Sequence, residues 1–318
     1  MSTHDMSRYR ANSSGFTLIE LMISLVLGLL ISAAVMQVYI VSTRTATVQQ
    51  SASEVQDSAI FSLQAIEDHI RLVNLGNPIS NINDSTNHGG IVLKPLNLGT
   101  SNATDAKYLT VSADSAGWTG LSNTNVESDQ LTIQYKNVTS SSLYDCEGKE
   151  ITSGSPDWVV ERYFVRKDTG GKDTDLVLAC DAGRFDESGN IIAGSSFGDN
   201  GEVIIPAVDQ FKVLLGTLAD VSQLSYLPAS TYLELTDKPA ITTVKLGMIV
   251  RSDTPLIEDP ESSLPAADKG KFTILGAEQK LKADSVNKVR YRRSYESTIV
   301  LRSARVMSVT GLKSNVKS

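Results

Sequence analysis

The chain has 318 residues, 41% hydrophobic and 20% charged, proportions of a folded protein that exclude both wholesale disorder and a polytopic membrane protein. With 29 Lys and Arg against 36 Asp and Glu the net charge is -7, which argues against indiscriminate binding to nucleic acid or anionic lipid. Three histidines and two cysteines leave little material for a metal centre.

Residues 1 to 15 are polar and include Arg8 and Arg10, whereas Phe16 to Val41 is apolar with Glu20 as its one charge. As a helix this segment extends about 39 Å, enough to cross a hydrocarbon core of about 30 Å. A secretory signal peptide has the same outline, and Ser32-Ala33-Ala34 would serve as its cleavage site. That reading leaves Glu20 unexplained: a carboxylate at full membrane depth costs about 2.5 to 3.5 kcal/mol, and such groups normally have partners.

Gly15-Phe16-Thr17-Leu18-Ile19-Glu20, followed by the apolar run, resembles the class III signal of type IV pilins and pseudopilins. The resemblance implies that a prepilin peptidase cuts between Gly15 and Phe16, that the helix is retained, and that Phe16 becomes an N-methylated terminus. It further implies that Glu20 pairs with the N-terminal ammonium of a neighbouring subunit, which gives a buried charge its partner.

Beyond Val41, Val48, Ala52, Val55, Ala59, Leu63, Ile66, Ile70 and Val73 recur at steps of three and four, one apolar stripe on a helix. No proline interrupts Phe16 to Leu75, and Gly76-Asn77-Pro78 has the residue types that stop helices. The spacing therefore predicts one helix of about 60 residues, with Gly28 as its weakest point. Major pilins often carry a proline in the apolar half; this chain has none there, so no proline kink is carried over.

Residues 77 to 128 read as loops with minor strands. Strand signals follow at Leu131 to Tyr135, Trp158 to Val165, Leu176 to Cys180, Phe211 to Leu215, Ile241 to Ser252 and Thr298 to Arg302. Ser252 to Gly270, with its prolines and acidic residues, reads as an exposed loop. A long helix followed by strands makes an α+β fold, pilin-like, with an antiparallel sheet packed on the helix's apolar stripe. The expected partition is a leader over 1–15, a membrane or filament-core half over 16–41, an amphipathic half over 42–76 and a periplasmic globular domain over 77–318.

Three C-terminal stretches, Pro206 to Gly216, Ile241 to Ser252 and Tyr291 to Arg302, resemble segments of PilW-type minor pilins. The resemblance implies a place in the complex that primes pilus assembly and sits at the tip, with roles in pilus biogenesis and twitching motility. Its partners would be other minor pilins, the major pilin, a tip adhesin, the prepilin peptidase and the inner-membrane assembly platform. The chain would span the inner membrane once before assembly. A type II secretion pseudopilin is the nearest alternative, since the same N-terminus serves both.

Cys146 and Cys180 fall in the part expected to face the oxidising periplasm, where a disulfide is the default; they form no C-x-x-C and have no neighbouring His in sequence. His69 is expected on a solvated helix face and His88 in a loop. Thr169 to Thr174 lacks the spacing of a Walker loop, and turns explain Asp186 to Asn190 and Asp199 to Glu202 better than calcium does. No catalytic motif, cofactor set or metal set is recognisable, so an enzyme is not expected. From Gln279 to Ser318 there are ten Lys and Arg and two acidic residues, leaving 19 basic against 34 acidic side chains elsewhere. Arg290, Arg292 and Arg293 are therefore expected to form a patch for an acidic protein partner, with DNA, in an uptake pilus, as the less favoured ligand.

Overall fold

The computed structural model describes residues 15–100, 105–220, 223–256, 269–283 and 289–304. The expected leader before Gly15, most of the acidic loop expected over 252–270, and Lys288 lie outside the described residues. The chain divides into two compact units, one up to Thr47 and one from Val48 onward. Helix α1 (Leu18–Ile70, 53 residues) contributes to both.

In the first unit α1 begins under a side-chain cap. The Glu20 N–H donates to Thr17 Oγ1 at 3.3 Å, half of the reciprocal arrangement that the Thr-x-x-Glu spacing allows. From Gly15 to Ser42 every residue is exposed, and this helix is long and apolar enough to cross a membrane, with a mean hydropathy of 2.5 over its best window. The helix continues without a break through Gly28, its expected weakest point. A penalty of about 1 kcal/mol relative to Ala does not interrupt so long a helix.

In the second unit the buried face of α1 is Ser51, Val55, Ala59, Ile66 and Ile70, with Val48, Ala52 and Leu63 half-buried. The helix stops at Ile70, five residues short of the expected end. Leu72 N donates to His69 O at 2.9 Å and Val73 N to Ile70 O at 3.1 Å, a tightened last turn. Asn74 then takes φ 64°. Its N–H bonds Gln134 O at 3.0 Å, and its side chain bonds Ile79 O at 2.8 Å and Gly90 N at 3.0 Å. Three distant backbone partners for one Asn outweigh one more helical turn, and asparagine tolerates the left-handed region.

Among the described residues the twelve strands make up two four-stranded sheets and two small hairpins. β1 (Leu131–Tyr135), the two-residue β2 (Leu143–Tyr144) and β3 (Glu150–Ile151), β4 (Trp158–Lys167), β5 (Leu176–Phe185) and β6 (Glu202–Ile205) come first. β7 (Val208–Asp220), β8 (Gln223–Leu227), the short α2 (Ala229–Glu234), β9 (Ile241–Pro255), β10 (Lys271–Ile274), β11 (Ala277–Lys280) and β12 (Arg290–Val300) follow. One sheet runs β1-β4-β5-β6 and the other β12-β9-β7-β8, every pairing antiparallel; β2-β3 and β10-β11 are separate hairpins. One core joins the α1 face to both sheets through Ile133, Tyr163, Leu178, Ile205, Phe211, Leu215, Val244, Leu246 and Ile299.

This is the α+β arrangement the sequence predicts, with longer strands. β5 extends to Phe185, β7 to Asp220, and β12 begins at Arg290 rather than Thr298. Polar residues inside these strands break the apolar pattern while their backbones stay paired.

The packing separates two neighbouring side chains of α1. Ile66 is 1% exposed and Phe61 72% exposed. Ile66→Ala is expected to lower the unfolding free energy of the globular unit by about 2 to 5 kcal/mol, and Phe61→Ala by no more than about 0.5 kcal/mol, measured by urea denaturation in detergent.

Candidate functional site

The buried carboxylate of Glu161 organises the polar interior. It lies in Trp158-Val-Val-Glu-Arg-Tyr-Phe-Val, a strand otherwise rich in apolar side chains, and is fully buried. Oε1 accepts from Tyr135 OH at 2.8 Å and from the Cys146 N–H at 3.0 Å, Oε2 accepts from Tyr163 OH at 2.8 Å, and His69 Nδ1 lies 2.9 Å from Oε1. One carboxylate thus gathers α1, β1, β4 and the β2-β3 turn. Cys146 is joined to Cys180 of β5, with Cα atoms 6.2 Å apart.

His69 is therefore not on a solvated helix face, as its acidic neighbours in sequence implied; it is the helix's polar contact with the sheet. Burial pulls its pKa down, but the Glu161 charge and hydrogen bond outweigh that and leave it raised. Burial works against ionised Glu161, yet His69 and the two tyrosine hydroxyls hold its pKa low. Burial and the Glu161 charge push the Tyr135 and Tyr163 hydroxyls up, so both remain donors.

His88 sits on a loop but is buried as well. Its ring stacks on Trp158 with centroids 4.5 Å apart, Gln134 Nε2 lies 3.0 Å from Nδ1, and Nε2 lies 3.1 Å from Glu187 O. Burial lowers its pKa. Lys136 Nζ stands 4.7 Å over the same Trp158 ring.

The expected basic patch is not one surface. Arg292 Nε donates to buried Asp209 Oδ2 at 2.6 Å, and Asp209 Oδ1 also takes Asn123 Nδ2 at 2.7 Å and faces Arg251 Nε at 3.3 Å. Arg290 Nη1 donates to the Ser252 carbonyl at 2.9 Å and to the Asp253 carbonyl. Arg293 is exposed, its guanidinium 5.8 Å from the Tyr295 ring. Strand alternation puts 292 and 293 on opposite faces, while a register shift between 290 and 292 turns Arg290 to the carbonyls at the end of β9. Two of the three arginines thus hold the fold together.

Oxygens of Glu147, Asp181 and Asp199 lie within 4.8 Å of one another. Two cations already meet this trio: Lys149 Nζ is 2.7 Å from Glu147 and Arg162 Nη2 is 2.8 Å from Asp181. Burial pushes Asp181 up to about 6. Asp186 and Asp199 serve turns, accepting the Ser188 and Gly201 N–H groups at 2.8 and 2.7 Å.

At the N-terminal end, Gly15, Phe16 and Glu20 are all exposed at the start of α1. Residues 10–36, which contain all three, match the prokaryotic N-terminal methylation motif, and residues 162–303, from β4 to just beyond β12, match the Type IV Pilus-assembly protein W family. In both places the chain is similar to PilW-type minor pilins. That likeness is to structural pilus components rather than enzymes, and the one long apolar helix among the described residues suits a membrane anchor. No curated protein sequence matches it. Among solved structures, a type IV-like pilin from Thermus thermophilus aligns over 79% of this chain and 97% of its own, at 10% identity and a TM-score of 0.36.

The His69–Glu161 contact makes the stability of this PilW-like domain depend on pH. His69 is raised from 6.5, so its share is complete below that value and is lost as pH rises through the folded pKa. Glu161 is lowered from 4.5, so its share is present above that value and is lost as pH falls through the folded pKa. The contact is thus strongest between 4.5 and 6.5. His69→Gln is expected to remove more unfolding free energy at about pH 5.5 than at about pH 8.5, measured by paired urea titrations.

Proposed function

We propose that this chain is a minor pilin, cut between Gly15 and Phe16, methylated at Phe16, held in the bacterial inner membrane by residues 16–41 with residues 77–318 in the periplasm, and drawn into the pilus through Glu20. Within the pilus system it belongs to the priming complex at the tip, beside other minor pilins and a tip adhesin, and supports pilus formation and twitching. The observation that carries this reading is the helix start. A capped helix whose apolar stretch up to Ser42 is wholly exposed bears one carboxylate in its first turn, where the helix dipole favours a negative charge. Lipid can cover the apolar residues, but a filament-core carboxylate requires a cationic partner, and the methylated amine of an adjoining subunit has that charge. The match to the pilus-assembly family over 162–303 favours a pilus over a secretion pseudopilus. The internal engagement of Arg290 and Arg292 favours protein over DNA as the ligand of the C-terminal region.

In a strain lacking the gene, wild-type chain is expected to restore surface pili and twitching. Glu20→Ala should be cleaved and recovered in membranes but should restore neither. Gly15→Val should stay full length by mass spectrometry. Normal processing of Gly15→Val, or normal piliation with Glu20→Ala, would contradict the proposal.

A further inference from the structure

The β2-β3 hairpin is held by two-residue strands, yet its turn supplies a donor to the buried Glu161 carboxylate. Asp145 and Cys146 lie in that turn, closed by Asp145 N to Lys149 O at 3.0 Å and Gly148 N to Asp145 O at 2.8 Å. The turn is tied to the sheet in two places: Arg184 Nη2 of β5 pairs with Asp145 Oδ2 at 2.7 Å, and Cys146 is bonded to Cys180. Cys180 is the cross-strand partner of Tyr163, whose hydroxyl donates to Glu161 Oε2. The bridge therefore ends beside the carboxylate on one strand and delivers the Cys146 N–H to it from the other side.

We propose that closing the Cys146–Cys180 bridge completes the carboxylate site that captures His69, so that attachment of residues 48–70 of α1 to β4 depends on oxidation. The bridge forms by thiol–disulfide exchange: the two thiols yield two electrons and two protons to an oxidant's disulfide, which leaves as a dithiol. The groups facing His69 are Glu161 of β4, Asp145 of the turn and Asp68 of its own helix, with Tyr135 of β1 and Tyr163 of β4 donating to the same carboxylate and Arg184 of β5 opposing Asp145. Without the bridge, the Arg184–Asp145 pair remains as a side-chain tie of the turn to β5, but the turn's N–H and the Asp145 charge are held less firmly over the site. Burial, which pulls the imidazole down, then acts against weaker compensation. A chain that has not been oxidised would carry a loosened helix, and oxidation would act as a check before assembly.

The test follows the His69 imidazole by NMR across pH in the full chain in detergent micelles, its resonance assigned by loss in His69→Gln. In the bridged chain His69 should titrate above about 6.5. In Glu161→Gln it should titrate at or below that value, and in the Cys146→Ser/Cys180→Ser pair lower than in the bridged chain, with faster amide exchange over residues 66–70 in both. Should the serine pair fail to fold, folded wild-type chain reduced with a dithiol is measured instead. An unchanged His69 titration in the folded unbridged chain would overturn the proposal. So would global unfolding on reduction, which would make the bridge a general staple rather than a control on this contact.

Discussion

The structure depends on one constraint: a single helix must satisfy two different surroundings. Up to Ser42 its side chains are exposed on every side and almost all apolar; from Val48 to Ile70 only one face is buried, and that face enters a core shared with both sheets. Among the described residues of its own unit nothing covers the first stretch, so lipid or other helices must. The second meets its partners within the chain. No proline or strong break separates the two, so the change from one regime to the other lies in side-chain pattern alone.

The buried polar groups add position to this packing. Apolar contacts fix the depth of a helix on a sheet but resist sliding weakly, because neighbouring aliphatic side chains offer near-equivalent fits. His69 against Glu161 has one satisfactory register. Removing either partner leaves a buried polar group with fewer bonds, a loss of about 1 to 3 kcal/mol. Asp209 plays a similar part in the other sheet, where Arg292 of β12 and Arg251 of β9 converge on it.

The helix, the α+β class and the central strands were legible because their signals are local and periodic. The helix end was not, because Asn74 is recruited by backbone groups of Gln134, Ile79 and Gly90 that no local pattern places nearby. The β10-β11 hairpin was hidden by its turn. Leu275 and Gly276 take φ 51° and 80°, positive values for which Asn-Gly is the usual signal. Leu275 is held there partly because Gly247 leaves room beneath it: a Cβ at Gly247 would meet Ile274 Cγ2 at 2.3 Å and Leu275 Cγ at 2.8 Å. At the candidate sites, the N-terminal methylation motif is legible because it is contiguous. His69 and Arg292 were misjudged because their partners lie far away in sequence and charged residues are ordinarily solvated. The one available sign was Glu161 itself, a carboxylate in the middle of an apolar strand.

The two stretches of α1 are expected to be held by different partners. Amide hydrogen exchange by mass spectrometry on the full chain in lipid nanodiscs, with and without urea sufficient to unfold the globular unit, tests this directly. Residues 48–70 are expected to lose their protection when the sheets unfold, while residues 18–41 keep theirs in the bilayer. Simultaneous loss of protection along the whole helix, or persistence of protection over residues 48–70 after the sheets have unfolded, would contradict it.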